Sequence, residues 1–330
     1  MVNQLKNNGV NLMEQQRVLV TGCAGFIGSN LVDRLLELGN EVIGVDNLVT
    51  GKLRNINNAM QNKGFTFYNL DLLNEESLNK IIEMKIDTVY HLAANADIRF
   101  GSIHPLKDFN QNVKVTLNVL EFCRKNEIRK IIFSSTGAIY GEPRVFPTPE
   151  NCPLPIQTSL YGASKIAAEG FIQAYSETFE IKSIIFRFVS ILGPRYSHGH
   201  VIDFYKQLMK DPSNLKVLGD GSQNKSYLHV NDCVSALESA LMMDISKSEV
   251  FNLGTKETCK VEDSIKHILK YLNLDPDVSF GQEKKGWIGD NPFILLDIQK
   301  MEGLGWSPKH SIKESIEDTL DYFIEQDSNI

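Results

Sequence analysis

Long apolar runs are missing from this sequence. None approaches the roughly 18 residues a membrane-crossing helix needs, and no charged-then-apolar leader opens the chain. No membrane partner is therefore expected, and the reading is a cytoplasmic protein. Cysteine is scarce and unpatterned: Cys23, Cys123, Cys152, Cys233 and Cys259 are odd in number and read as reduced thiols, not a disulfide framework. Excess positive charge is missing too. The net charge of −7 argues against a nucleic-acid surface, so an anionic ligand must be held by local cations and helix N-termini. Repeats and low-complexity tracts are absent. What remains is ordinary globular composition, 42% hydrophobic and 23% charged over 330 residues, enough to bury a full core.

Residues 1–16 are polar and aperiodic and read as a mobile N-terminal extension. Beyond them apolar runs alternate with amphipathic segments. Arg17–Thr21, Glu41–Val45, Phe65–Leu70, Thr88–Leu92, Lys130–Ser134 and Ser183–Phe188 are expected to be buried strands, with helices near 26–38, 75–84, 105–125 and 160–179. That alternation predicts an α/β fold, a Rossmann-type doubly wound parallel sheet covered on both faces. After about residue 190 the pattern loosens, with helices near 201–210, 232–243, 261–272 and 311–325. We expect a dinucleotide-binding domain over 17–189 and a smaller, interleaved substrate lobe over 190–330, with a strand at Glu249–Leu253 returning to the main sheet. A stretch with prolines at 143, 147, 149, 153 and 155 is either a surface loop or a wall of the site.

The first strand runs into Gly22-Cys23-Ala24-Gly25-Phe26-Ile27-Gly28 and then an amphipathic helix. Glycines at this turn let backbone approach a pyrophosphate seated on the helix N-terminus. Asp46 ends the second strand. A carboxylate there hydrogen-bonds the adenosine ribose hydroxyls and repels a 2′-phosphate, which favours NAD over NADP. Asp71 follows the third strand and Leu92-Ala93-Ala94 the fourth, at further strand C-terminal ends where ligands of open α/β sheets lie.

Tyr161 and Lys165 stand four residues apart in YGASKIAAEGF, so both project from one helix face. A nearby ammonium favours the phenolate, and on that reasoning Tyr161 is a base with a lowered pKa. The fifth strand ends in Ser134-Ser135-Thr136, whose hydroxyls can reach the same region. Nucleotide cofactor and activated phenol together indicate redox chemistry at an alcohol carbon.

Motifs in order along the chain, TGCAGFIGSNL, VDNLVTG, HLAANADIR, SSTGAIYGE, YGASKIAAE, RFVSILGPR, GDGSQNKSYLHVNDC and GDNPFILLD, resemble the extended short-chain dehydrogenase/reductase family, within it the nucleotide-sugar 4-epimerases. The resemblance implies that Thr136 binds the sugar 4-hydroxyl, Tyr161 is the base and Lys165 binds the nicotinamide ribose, the positive nicotinamide ring and Lys165 both lowering the tyrosine pKa. It implies an NAD site of Gly22, Gly25, Phe26, Ile27, Asp46, Asn47, Asp71, Leu72, Leu92, Ala93, Ala94 and Asn112 with Tyr161 and Lys165. It also implies a homodimer through the helices at 105–125 and 160–179. The expected reaction is inversion of carbon 4 of a UDP-hexose or UDP-hexuronate through a 4-keto sugar, NAD staying bound between turnovers. Dehydratases and decarboxylases of the family carry a Glu where this chain has Ala138, and the dehydratases an Asp at Gly137. Neither position can titrate here, which disfavours elimination. A 4-ketoreductase, a C2 or 3,5-epimerase, and a non-catalytic dinucleotide sensor are the alternative readings.

On the substrate side the chain departs from the family pattern. The diphosphate-binding Asn is Ser190, the Arg of a GxxQxR segment is Lys225, and a later Arg is Trp287. An arginine fork has been exchanged for point charge or aromatic surface. Expected substrate contacts are Arg99, Thr136, Ser190, Arg195, Val217, Lys225, Trp287 and Asp290, with Lys284 and Lys285 as further cations or plain solvated surface. Trp287 is either core packing or a stacking wall. Ile294 falls where hexose epimerases gate N-acetyl groups. His198 and His200 have a metal-like spacing without a third ligand, and no metal is expected.

Overall fold

A computed structural model describes residues 15–98, 101, 103–154, 156–287 and 289–328. Of the expected N-terminal extension, residues 1–14 lie outside this set. Gln16 is not part of any extension: its backbone carbonyl accepts from Glu41 N at 2.9 Å and its side chain from Thr88 Oγ1 at 3.0 Å.

The first half of the chain builds most of one sheet. Strand β1 (Arg17–Thr21) leads to α1 (Phe26–Glu37), β2 (Glu41–Asp46), β3 (Phe65–Asn69) and β4 (Thr88–His91). The short α2 (Pro105–Asp108) and α3 (Val115–Lys125) precede β5 (Lys130–Thr136), α4 (Leu160–Phe179) and β6 (Lys182–Phe188). The second half supplies β7 (Ser190–Leu192), α5 (His200–Lys210), β8 (Asn214–Val217), β9 (Asn224–Lys225), β10 (Tyr227–His229), α6 (Val230–Ser239) and β11 (Ser248–Leu253). It closes with β12 (Cys259–Lys260), α7 (Val261–Leu272), β13 (Asp277–Phe280), β14 (Phe293–Ile294), α8 (Gln299–Glu302) and α9 (Ile312–Ser328).

Seven strands form the main sheet in the order β3-β2-β1-β4-β5-β6-β11, every pairing parallel. The order reverses between β1 and β4, which opens a crevice beyond their C-terminal ends. Alternate side chains divide between two apolar cores because a strand turns over every residue. Val18, Val20, Val42, Tyr90, Ile132 and Phe186 pack on the α1 and α6 side, with Leu31, Leu35 and Leu237. Leu19, Ile43, Val89, Ile131, Phe133 and Ile185 pack on the α3 and α4 side, with Val119, Leu120 and Ile172. Burial on both faces is why these strands read as unbroken apolar runs. The expected return of the 249–253 strand is met by β11 pairing with β6.

Three expected helices differ. Residues Ser77–Met84 wind as a 3₁₀ helix. The long helix at 105–125 is interrupted by a π-helical stretch, Phe109–Lys114, which turns Asn112 into the protein interior. The helix expected at 232–243 begins at Val230, because the His229 ring accepts from Asn231 N and caps it. The small sheets β7/β10, β8/β13 and β12/β9/β14 were not expected; their strands run two to four residues, too short for periodicity to register.

The proline stretch takes the first of its two readings, a largely exposed loop with Val145, Phe146 and Leu154 at the surface and Pro155 outside the described residues. Thr148 N donates to Leu295 O, and Asp297 N to Thr148 O, so it lies against the C-terminal segment. Behind it runs a buried polar network. Glu169 of α4 takes Arg187 through both guanidinium edges, Nη2 at 2.8 Å and Nε at 3.2 Å, and accepts from the Ser135 hydroxyl. Arg187 also donates to Tyr140 Oη at 2.7 Å and Glu150 O at 2.9 Å, and Tyr140 to Asn252 Oδ1 at 2.8 Å.

Candidate active site

The glycine turn sits at the crevice. Gly22 has φ +72°, and a Cβ there would meet Ala93 N at 2.8 Å. A Cβ at Gly28 would overlap the Gly22 carbonyl, so helix and turn approach as only glycine permits. Gly25 caps α1 with no side chain, and its first turn carries no acid. The open N–H groups and the positive end of the helix are thus free for an anion. Asp46 is buried, with Oδ2 accepting from Ala24 N at 3.0 Å and Oδ1 from Leu48 N at 2.8 Å; burial pushes its carboxyl up. Backbone N–H groups of Leu92 and Ala93 both donate to Thr21 Oγ1 at 3.2 Å, drawing the β4 end against the glycine turn. Asn47 Oδ1 accepts from Val49 N and Asp71 Oδ1 from Leu73 N, each closing its own turn, while Leu72 is buried. These residues fit a dinucleotide: a glycine cradle that a Cβ would fill, an uncapped helix N-terminus and a carboxylate beyond β2.

Tyr161 and Lys165 project from the first turns of α4, whose start is fixed by Ser159 Oγ accepting from Gly162 N at 3.0 Å. Thr136 at the end of β5 hydrogen-bonds the Tyr161 phenol, which favours its ionised form. The expected drop in the phenol's pKa is nevertheless absent. Burial dominates and pushes Tyr161 up to about 12, with the Asp108 charge adding to the rise. The ammonium that was to lower it is turned elsewhere: Lys165 Nζ donates to Ser134 O at 2.8 Å and lies 4.6 Å from the Phe133 ring centre. Lys165 is only 2% exposed, and burial depresses it to about 7, against the opposing pull of Glu169 and Asp108. Asn112, expected at the cofactor, lies close to this pair. Its Nδ2 donates to Ser164 Oγ at 2.9 Å, and its Oδ1 accepts from Asn95 N at 2.8 Å. Buried His91, hydrogen-bonded between Thr21 at 2.8 Å and Thr116 at 3.0 Å, is depressed to about 3 by burial and then by Lys165.

A cleft of about 710 Å³ runs from this centre into the second half of the chain. Phe26, Ile27, Thr136, Tyr161, Ser190, Lys225, Trp287, Asp290 and Ile294 line it. Gly137 and Ala138 also line it and bring no titratable group there. Three expected substrate residues form one cluster: Lys225 Nζ lies 2.5 Å from Asp290 Oδ1 and 5.1 Å from the Trp287 ring centre. Trp287 is thereby a cleft wall, and its Nε1 is buried without a hydrogen-bond partner among the described residues.

Other expected contacts lie elsewhere. Arg195 does not reach the cleft; its Nη2 is paired with Asp33 Oδ2 of α1 at 2.6 Å, drawn there by a backbone φ of +72°. Val217 points into the core, because β8 alternates and presents Lys216 to the cleft instead. Lys285 pairs with Glu142 at the surface. Arg99 lies outside the described residues. His198 hydrogen-bonds Ser197 at 3.0 Å, and His200 hydrogen-bonds Ser264 at 2.9 Å. Both line the cleft, with Lys206, Gln207 and Tyr196, none of which the sequence reading named as contacts. For α5 the signal existed: its buried face (Val201, Ile202, Phe204, Tyr205, Leu208) leaves Asp203, Lys206 and Gln207 on the other side.

Fold and site define a dinucleotide-dependent enzyme with a tyrosine–lysine pair at the end of a second, deep cleft. Residues 18–254 match the NAD dependent epimerase/dehydratase family, and the chain belongs to that family. It is 36% identical over 311 residues to the putative UDP-glucose 4-epimerase of Methanocaldococcus jannaschii, covering 92% of this chain and 97% of that one. Among solved structures, a UDP-glucose 4-epimerase with UDP-glucose from Thermotoga maritima superimposes with TM-score 0.85 at 35% identity, over 94% of this chain and 99% of that one. A UDP-glucuronic acid 4-epimerase from Bacillus cereus, in complex with UDP-glucuronic acid and NAD, gives 0.84 at 30%, over 94% and 99%.

Proposed function

We propose that this protein is an NAD-dependent UDP-sugar 4-epimerase, inverting carbon 4 of a UDP-hexose or UDP-hexuronate. The observation that carries the reading is one continuous cleft lined by Phe26 and Ile27 at the start of α1, by Thr136 and Tyr161, and by the Lys225–Asp290–Trp287 cluster. Residues 17–189 would hold the cofactor and 190–330 most of the substrate. Gly22, Gly25, Phe26, Ile27 and Asp46 would hold the dinucleotide, with the N-terminus of α1 facing its pyrophosphate. When bound, NAD supplies reversible hydride transfer at an alcohol carbon. Tyr161 takes the 4-hydroxyl proton and later returns it, and Thr136 orients that hydroxyl. Burial holds the Tyr161 phenol up to about 12. The positive nicotinamide ring is the charge that would bring it down, so base strength follows cofactor binding. Lys165 then serves the ribose and adds to that positive field. Lys225 and the Trp287 Nε1–H are donors for the nucleotide diphosphate, Ser190 and Asp290 lying beside them.

A homodimer fits the apolar side chains exposed on the α2 and α4 side: Leu106, Phe109, Leu160 and Phe171. Free thiols at all five cysteines suit the cytoplasm, and no described helix is long and apolar enough to cross a membrane. The test is incubation of purified protein, without added cofactor, against UDP-glucose, UDP-galactose, UDP-glucuronate, UDP-galacturonate and their N-acetylhexosamine relatives. Anomeric proton NMR should show one pair interconverting. Silence across the panel with NAD bound would contradict the substrate class and point to a reductase or another nucleotide.

A further inference from the structure

Asp108 is a buried carboxylate that the chemistry above does not use. It closes α2, is 1% exposed, and has no ion-pair partner among the described residues. Its Oδ1 accepts from Asn95 Nδ2 at 2.7 Å. Asn95 N in turn donates to Asn112 Oδ1 at 2.8 Å, and Asn112 Nδ2 donates to Ser164 Oγ at 2.9 Å. Ser164 Oγ donates to Tyr161 O at 2.8 Å, so the chain ends on the backbone of the active tyrosine. An acceptor-only carboxylate turns the Asn95 amide so that Nδ2 faces it, while the Asn95 backbone N–H sets the orientation of the Asn112 amide. The other oxygen, Oδ2, is buried without a hydrogen-bond partner among the described residues.

A buried charge left half-satisfied acts on its surroundings, because little water screens it. Of the two carboxylates that act on Lys165, Glu169 is already committed to Arg187 and Ser135. Asp108 faces Lys107 on its own helix, Asp97 and Asn95 on the loop after β4, and Lys165 on α4. Its charge also reaches the Tyr161 phenol, where Thr136 is the other polar neighbour.

We propose that Asp108 is a positioning residue of this site, ordering the Asn95 amide beneath the first turn of α4 and setting the local field at Tyr161 and Lys165. The proposal rests on Tyr161 being the base. An acid–base group works best with its pKa near the working pH. A phenol that must return its proton within one turnover therefore gains from a counter-charge that limits the pull of nearby cations. Removing the charge of Asp108 makes the phenolate and the neutral amine both easier to form.

The Tyr161 titration is read without substrate, as near-ultraviolet phenolate absorbance of each protein minus that of its Tyr161→Phe counterpart. Asp108→Asn and Asp108→Ser, two neutral side chains of different size, should both move the midpoint to lower pH by about half a unit or more. Asn95→Ala removes the amide that Asp108 orders but keeps the charge and the backbone N–H to Asn112, and should lower turnover while leaving the midpoint in place. An unmoved midpoint in both neutral variants would overturn the proposal, as would an equal shift in Asn95→Ala. Because no sugar is present, failure here is separate from failure of the epimerase reading. In the active enzyme, both limbs of the pH–rate profile should shift acidwards in Asp108→Asn; a loss of amplitude with fixed limbs would show a structural role alone and reject the field effect.

Discussion

Two lysines each stand near a histidine, Lys165 and His91 buried at the reaction centre, Lys225 and His200 half-buried in the cleft, and the protein treats them differently. Lys165, near His91, touches a backbone carbonyl and an aromatic face, and burial outweighs Glu169 and Asp108 to bring its pKa down to about 7. Lys225, near His200, is neutralised by Asp290 at 2.5 Å and lies against Trp287. An uncompensated ammonium in a dry site responds strongly to the next charge that arrives, which suits a reaction centre. A compensated one keeps its charge and position without ligand, and suits recognition of an anion. The first environment is built from long strands and helices. The second is assembled from β9, β14 and a connecting segment, so point charges take over where backbone precision is lost.

The strongest way to break this contrast is at the reaction centre. Tyr161→Phe removes the proton acceptor alone and should cut turnover by about 10²–10⁴ or more while bound NAD survives, as measured by cofactor release on denaturation. Full activity would place the base elsewhere. The next effect is on stability. His91 and His200 are both held near pKa 3, well below the ordinary imidazole value, with burial the first cause in each. Their contribution is therefore present above about pH 6.5 and lost as pH falls toward 3, because the unfolded chain binds protons that the folded one refuses. Urea midpoints should drop through that window, and His200→Gln should flatten the slope. A smaller effect is expected at the recognition end: Lys225→Met should raise KM about ten- to a hundredfold, the worth of a charged hydrogen bond, with little change in NAD retention. Smallest is Arg195→Met. Its Nη2 is paired with Asp33, so KM should stay within about twofold. A large KM change there would restore Arg195 to the substrate.

How far each region could be read from sequence follows the same division. The main sheet was legible because each strand is buried on both faces and each βα turn is marked by residues with a backbone reason to be there, Gly22 and Gly28 above all. Tyr161 and Lys165 were legible because one helical turn forces them together. The direction of Lys165 was not: i,i+4 spacing sets a shared face, and Ser134 O decides where the ammonium ends. Asp108 and Asn95 escaped notice because a π-helical turn, invisible to periodicity, carries Asn112 inward beside them. On the substrate side, Lys225, Trp287 and Asp290 were identified by type but not by their mutual contact. Val217 and Lys216 exchanged roles because β8 is four residues long, and alternation over so short a span gives no register.

The most direct test of the central claim is to run the epimerisation in D₂O and examine carbon 4 of the product by NMR. A hydride removed and returned within one closed site leaves the original hydrogen in place, and the account predicts no deuterium at that carbon. Deuterium at carbon 4 would mean that a proton, exchanged with solvent, is what moves, and would contradict the redox reading of the Tyr161–Lys165 site.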